Sequence, residues 1–263
     1  MSPIYVPGKV TLAKEFTWNE SIWNPSMLST ALWLDAADAS TITESGGVVS
    51  QWDDKSGNDR HAVQATSANK PTTGTRSLNG LNVLDFDGLD DFLETGLAPA
   101  INRTIAVVVA YDTVNSLIIP FGARQDLEER SYIGVNFGES RFAAGDKFPN
   151  GNIDMFVNTG YIQIGMHSDS LTMTHYLNGT QDQNDTFNGP IGSGQNYYVG
   201  TLNDRGSPLA NAVFNGRFCE AVAFDYEIDA YVRQKLEGYL AHKWGLTANL
   251  PSGHPYKLVG PTP

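Results

Sequence analysis

FNGRFCEAVAFDYEIDAYVRQKLEGYLAHKWGL, residues 214–246, sets a strand directly before a helix, and the fold is read outward from it. Phe218, Ala221, Val222, Ala223 and Phe224 form a short apolar run between Asn215-Gly216 and Asp225, the pattern of a buried strand. After it, Ile228, Val232, Leu236, Leu240 and Trp244 recur every four residues, which lays one apolar stripe along a helix and predicts that Arg233, Gln234, Glu237 and Lys243 face elsewhere. Asp229 is placed to cap the first turn and to favour the positive end of the helix dipole. Gly245 is placed to stop the helix. Gly238 costs roughly 1 kcal/mol against alanine in a helix interior, so it predicts close approach by another element. Packing accounts for every residue of this stretch, and none calls for a catalytic role.

Outward from that stretch the chain reads as strand upon strand. Thr104–Tyr111 is a continuous apolar run of the kind covered on both faces, and Ser116–Gly122, Tyr132–Phe137, Met155–Met166 and Leu171–Leu177 follow it. Leu28–Ala36 and Val48–Trp52 precede it, and Asn178-Gly179 marks a hairpin tip. The 26 glycines, 13 prolines and only 17% charged residues suit many short strands joined by tight turns. A chain of 263 residues accommodates one large β domain. Residues 1–27 keep neither period but are rich in aromatics, Trp18 and Trp23 among them, which predicts an ordered attachment arm ahead of a domain at 28–263.

The net charge of −12 argues against nucleic acid and against an anionic membrane surface as partners. The single cysteine, Cys219, lies in the apolar strand and reads as a buried thiol. The start of the chain lacks a basic segment followed by an apolar core, and Ile105–Tyr111 is too short to cross a bilayer, so folding in a reducing cytoplasm is expected.

Three stretches carry a family resemblance: Gly216, Phe218, Glu220 and Ala221 followed by Glu237–Leu246 and Leu250-Pro251 with Gly253–Tyr256; Trp52–Ala62, WDDKSGNDRHA; and Leu81–Leu93, LNVLDFDGLDDFL. Together they resemble the laminin G-like, concanavalin A-like jelly-roll modules of bacterial and bacteriophage proteins. The resemblance implies an all-β, two-sheet antiparallel jelly-roll sandwich with one C-terminal amphipathic helix. It says much less about activity, because this fold hosts many functions.

Asp85, Asp87, Asp90 and Asp91 crowd one turn. Carboxylates so close repel one another unless a cation or backbone amides compensate them, which makes Asp87, Asp90 and Asp91 candidate calcium ligands, joined by Asp38, Asp53 and Asp54 if the loops converge. The spacing is not that of an EF-hand loop, and aspartates in glycine-containing turns also bond their own backbone. Loop aromatics and amides offer a glycan surface, with Asn184, Phe187, Tyr197, Asn203 and Asp204 as the candidate residues and Phe148 and Asn150 in a further loop.

Catalytic motifs are missing: no E-x-D-x-x-E on a strand, no G-x-S-x-G, no H-E-x-x-H and no C-x-x-C. Glu128-Glu129 and Asp225 with Glu227 fall in turns without strand alternation. The sequence therefore predicts a binding or structural protein rather than an enzyme. The complete module, aromatic arm and absent disulfide resemble bacteriophage virion proteins. That resemblance implies a capsid or tail component made in the host cytoplasm, oligomeric, held to other virion proteins by its arm and touching host-surface glycans. A free carbohydrate-binding lectin and a polysaccharide-degrading enzyme are the alternatives.

Overall fold

A computed structural model describes residues 23–192 and 194–263. Among these the chain is mostly β, with a single α-helix near its C-terminal end. Ten strands carry the architecture: β1 Leu32–Asp35, β2 Leu81–Asp87, β3 Arg103–Tyr111, β4 Leu117–Asp126, β5 Glu129–Asn136, β6 Glu139–Gly145, β7 Gly160–His167, β8 Thr172–Leu177, β9 Thr180–Thr186 and β10 Asn215–Phe224. The helix, α1, spans Ala230–Trp244.

β10 is the hub, pairing antiparallel with β1, β2 and β3. From β3 the antiparallel order continues through β7 and β8 to β9. The β8–β9 hairpin turns at Asn178 and Gly179, with φ of 49° and 80°, the left-handed pair that matches strand twist. β4, β5 and β6 form a second antiparallel meander. The strand Leu202–Asp204 runs parallel to β4.

All nine residues of β3 are buried, for a reason written in its sequence. Ile105, Val107, Val109 and Tyr111 pack with Phe121, Ile133, Val135 and Phe142 of the β4–β6 meander. Ala106 and Val108 join Ile162 and Ile164 against Leu236, Leu240 and Trp244 of α1. A strand with two apolar neighbours needs no alternation. In β10 a bulge between Phe218 and Glu220 rephases the strand. Phe218, Ala221 and Ala223 face the inner core, while Cys219, Val222 and Phe224 face the α1 side. Glu220 is thereby aimed at α1, and Cys219 is fully buried, its thiol pKa pushed up by burial.

Glu220 is 0% exposed and fully surrounded by donors. Its carboxylate accepts from Trp33 Nε1 at 2.8 Å, Trp244 Nε1 at 2.7 Å, Tyr239 Oη at 3.0 Å and Lys243 Nζ at 2.8 Å. Lys243 Nζ also donates to Asp35 of β1 at 2.5 Å. The helix begins at an Asp229 cap and ends at a left-handed Gly245, as its sequence predicts. Its expected polar face is corrected, because Arg233, Glu237 and Lys243 are buried. The C-terminal tail folds back over that side: His254 Nε2 meets Glu237 Oε2 at 3.0 Å and Lys235 Nζ donates to the Thr262 carbonyl at 3.0 Å. Gly238 makes its close approach to this tail, since an added Cβ would lie 2.9 Å from Tyr256 Cγ.

Of the proposed arm, residues 1–22 lie outside the described residues; of 23–27, Trp23 and Pro25 are buried, while Ser26 and Met27 are exposed. Trp23 is 4% exposed, meets Tyr239 edge-on at 6.2 Å and donates its amide to the Pro261 carbonyl at 3.2 Å. Two strand expectations also shorten: Leu28–Ala36 becomes β1, and Met155–Met166 becomes β7 after a turn at 155–159. No helix of the described residues is long and apolar enough to cross a membrane.

Candidate functional site

The acidic turn follows β2, which holds Asp85 and Asp87 two residues apart on one side of the strand. Gly88 turns the chain with φ of 79°, pressed against Asn215 of β10, where a Cβ would clash. Asp87 Oδ1 accepts from the Leu89 amide at 2.8 Å, and Asp91 Oδ2 accepts from the Asp87 amide at 3.0 Å. One carboxylate oxygen from each of Asp87, Asp90 and Asp91 lies within 4.8 Å of the others. Asp91 is 5% exposed, and its burial, joined by the charges of Asp87 and Asp90, raises its pKa to about 6 against the lowering effect of the Asp87 amide.

Beside the turn opens a cleft of 380 Å³ lined by Lys70, Thr72, Arg76, Asp85, Asp91 and Asn215. Arg76 is braced by Asp112, at 2.5 and 2.8 Å, and reaches Asp85 at 3.0 Å. Burial raises the Asp85 pKa, and the Arg76 hydrogen bond lowers that of Asp112. The cleft thus combines carboxylate acceptors, two cations and an amide, a mixture suited to a polyhydroxylated ligand. Its all-oxygen carboxylate set also fits a hard cation such as calcium.

The remaining aspartates named from the sequence do not join this group. Asp54 accepts from the amides of Trp33, Ser56 and Arg60. Asp38 bonds Lys55 at 2.8 Å, and Asp53 accepts from Gln51 at 2.7 Å. These carboxylates build turns, the other use that the sequence allowed for them.

The five glycan candidates are not assembled into one surface. Phe187 and Tyr197 are 1% and 0% exposed, so neither ring offers a face to a sugar. Tyr197 stacks on Phe121 at 4.9 Å and donates to Ser131 Oγ at 2.6 Å. Asn203, also buried, holds its own loop through the Asn196 carbonyl and the Gly206 amide, both at 2.8 Å. Asp204 is engaged by Arg124 in two 2.8 Å bonds. Asn184 alone is exposed, on β9. Aromatic and amide content marks a loop in sequence, but side-chain direction is set by long-range packing. Of the loop aromatics named from the sequence, Phe148 stays open, 48% exposed, with Arg130 over its ring at 4.4 Å and Arg141 at 5.6 Å.

Serine and histidine do meet, but inside the core. Ser131 Oγ lies 2.9 Å from His167 Nε2, and Asp182 contacts both Ser140 and His175. All five side chains are buried, and burial pushes the His167 pKa down to about 4. Buried and bonded to one another, they serve as internal polar staples.

No protein-family model matches the sequence, and no curated protein matches it significantly. Solved structures do share its fold. Trypanosoma rangeli sialidase, in complex with the inhibitor DANA, aligns at TM-score 0.56 and 13% identity, over 81% of this chain and 33% of that one. Domain 4 of AbnA, a GH43 extracellular arabinanase from Geobacillus stearothermophilus, in complex with arabinotriose, aligns at TM-score 0.54 and 12% identity, over 76% of this chain and 94% of that one. The chain spans 26% to 33% of the length of two sialidases that it matches. These likenesses establish a broadly shared all-β fold. They also correct the expectation that the chain is not an enzyme: proteins of this shape include parts of enzymes, so missing strand motifs do not argue against catalysis.

Proposed function

We propose that this chain is a carbohydrate-binding β module whose ligand seats in the cleft beside the acidic turn. The observation that carries the reading is the convergence of Lys70, Arg76, Asp85, Asp91 and Asn215 on one 380 Å³ cleft, a volume within the ~300–1,000 Å³ range of small-molecule sites. Vicinal sugar hydroxyls both donate and accept, and this lining supplies both kinds of partner. Calcium at Asp87, Asp90 and Asp91 would neutralise the turn and add a Lewis-acidic edge to the cleft. The arabinanase domain with bound arabinotriose shares the fold and supports the class of ligand.

The motif resemblance supports a finer version, a two-sheet jelly roll displayed on a bacteriophage particle with host-surface glycans as its ligands. A glycan-array screen of the full chain tests the reading, followed by calorimetric titration of the strongest ligand. Asn215→Ala and Lys70→Ala should weaken that ligand at least tenfold without lowering the melting temperature. Binding unchanged in both variants would remove the cleft from the account. Assaying the same sample for released reducing sugar decides whether the bound glycan is also cleaved.

A further inference from the structure

The face of the β4–β6 meander turned away from the inner core carries Arg124, Arg130 and Arg141. Ile133 and Val135 of β5 and Phe142 and Ala144 of β6 point into the inner core. Strand alternation therefore puts Arg130 and Tyr132 of β5 and Arg141 and Ala143 of β6 on the opposite face. Arg130 stands directly across from Arg124 of β4. Like charges so placed repel. Arg124 is compensated by its two bonds to Asp204. Arg130 is not.

Arg130 is 6% exposed, yet among the described residues its guanidinium makes one hydrogen bond, from Nη1 to the Asp146 carbonyl at 3.1 Å. Arg141 bonds the Asn150 side-chain oxygen at 2.9 Å. Among the described residues neither forms a direct ion pair with a carboxylate, nor does Arg217, whereas Arg60, Arg76, Arg103, Arg124 and Arg233 do; Asp126 and Asp146 act on Arg130 from farther off, and Asn150 links Arg141 to Glu139. Both guanidinium groups lie near the ring of Phe148, at 4.4 and 5.6 Å from its centre, and the Tyr132 hydroxyl lies within electrostatic reach of Arg124, Arg130 and Arg141. A guanidinium with no carboxylate bonded directly to it gains from one, because charge-assisted bonds strengthen as water is excluded.

We propose that this face is a second saccharide site, selective for a carboxylate-bearing sugar, in which Arg130 and Arg141 hold the carboxylate and the exposed part of Phe148 contacts the sugar ring. The planar guanidinium fork matches a carboxylate in two parallel bonds, and an aromatic beside it suits the apolar face of a pyranose. The proposal rests on the carbohydrate-binding reading for its ligand class but uses residues that the cleft does not share.

The test titrates the full chain with a panel of uronate- and sialate-terminated oligosaccharides, each paired with its carboxyl-reduced neutral counterpart. At least one acidic member should bind tenfold or more tightly than its neutral partner, and that preference should vanish in Arg130→Gln and in Arg141→Gln. Because Arg130 is buried, Arg141→Gln is the variant that keeps the test valid if Arg130→Gln does not fold. Arg217→Gln, a control at an arginine of β10 far from Phe148 in the sheet, should keep the preference. Acidic and reduced sugars binding alike, or an acid preference that survives Arg141→Gln, overturns the second site while leaving the cleft intact. Failure of every saccharide to bind overturns both.

Discussion

The Glu220 carboxylate of β10 accepts a 2.7 Å hydrogen bond from the Trp244 indole of α1, with neither side chain reached by solvent. This contact joins the strand and the helix that the sequence sets side by side, and it depends on the bulge that turns Glu220 out of the inner core. Burying a carboxylate is costly unless it is paired and bonded, and four donors here meet that condition.

Glu220→Ala should therefore destabilise the fold by about 3–5 kcal/mol, because it leaves two indole N–H groups, a phenol and part of the Lys243 charge without their acceptor. Urea denaturation followed by tryptophan fluorescence measures it. A loss under about 1 kcal/mol would mean that the network contributes little.

Gly238→Ala separates helix propensity from tail packing. Alanine favours the helix by roughly 1 kcal/mol, but its Cβ would overlap Tyr256 of the tail. Overpacking of this kind costs about 1–3 kcal/mol, so the variant should be less stable than wild type, with the tail more open to limited proteolysis. A more stable variant would show that the tail lies on α1 only loosely.

The pH dependence of stability carries two opposed contributions. Asp91 has a folded pKa of about 6 against an ordinary 3.8, so its contribution is present at low pH and is lost as pH rises toward 6. His167 has a folded pKa of about 4 against an ordinary 6.5, so its contribution is present above 6.5 and is lost as pH falls toward 4. Asp91→Asn should consequently gain stability relative to wild type as pH rises from about 4 to about 6. Carboxyl-carbon NMR should place the Asp91 midpoint near 6, and millimolar calcium should lower it. An ordinary midpoint would remove the unusual electrostatics of the turn, and a midpoint indifferent to calcium would remove the ion.

How much of this was legible in the sequence depends on the range of the interaction. The helix, its Asp229 cap and its Gly245 stop are local signals, and so is the Asn178-Gly179 turn. The unbroken apolar run of β3 announces two covered faces. β6 was missed because ESRFAAG mixes glycine, alanine and charge without a clean period, even though Ser140, Phe142 and Ala144 alternate inward once β5 sits beside it. Phe187 and Tyr197 looked like sugar platforms because loop aromatics flanked by amides usually face solvent, and only the packed core shows them buried. The crowding of Asp87, Asp90 and Asp91 was visible, but the cleft lined by Lys70, Arg76 and Asn215 was not, since it draws on three separated segments. Arg130 and Arg141 stand opposite Gly145 and Gly134 in the β5–β6 register and share only the Phe148 ring, a convergence that no spacing rule reveals.

The central claim is that a glycan seats beside the acidic turn. Amide chemical-shift mapping of the full chain, titrated with the strongest array ligand, tests it most directly. The account predicts that the largest shifts fall on Lys70, Thr72, Arg76, Asp85–Asp91 and Asn215. Saturable binding whose shifts leave those residues unmoved would contradict it.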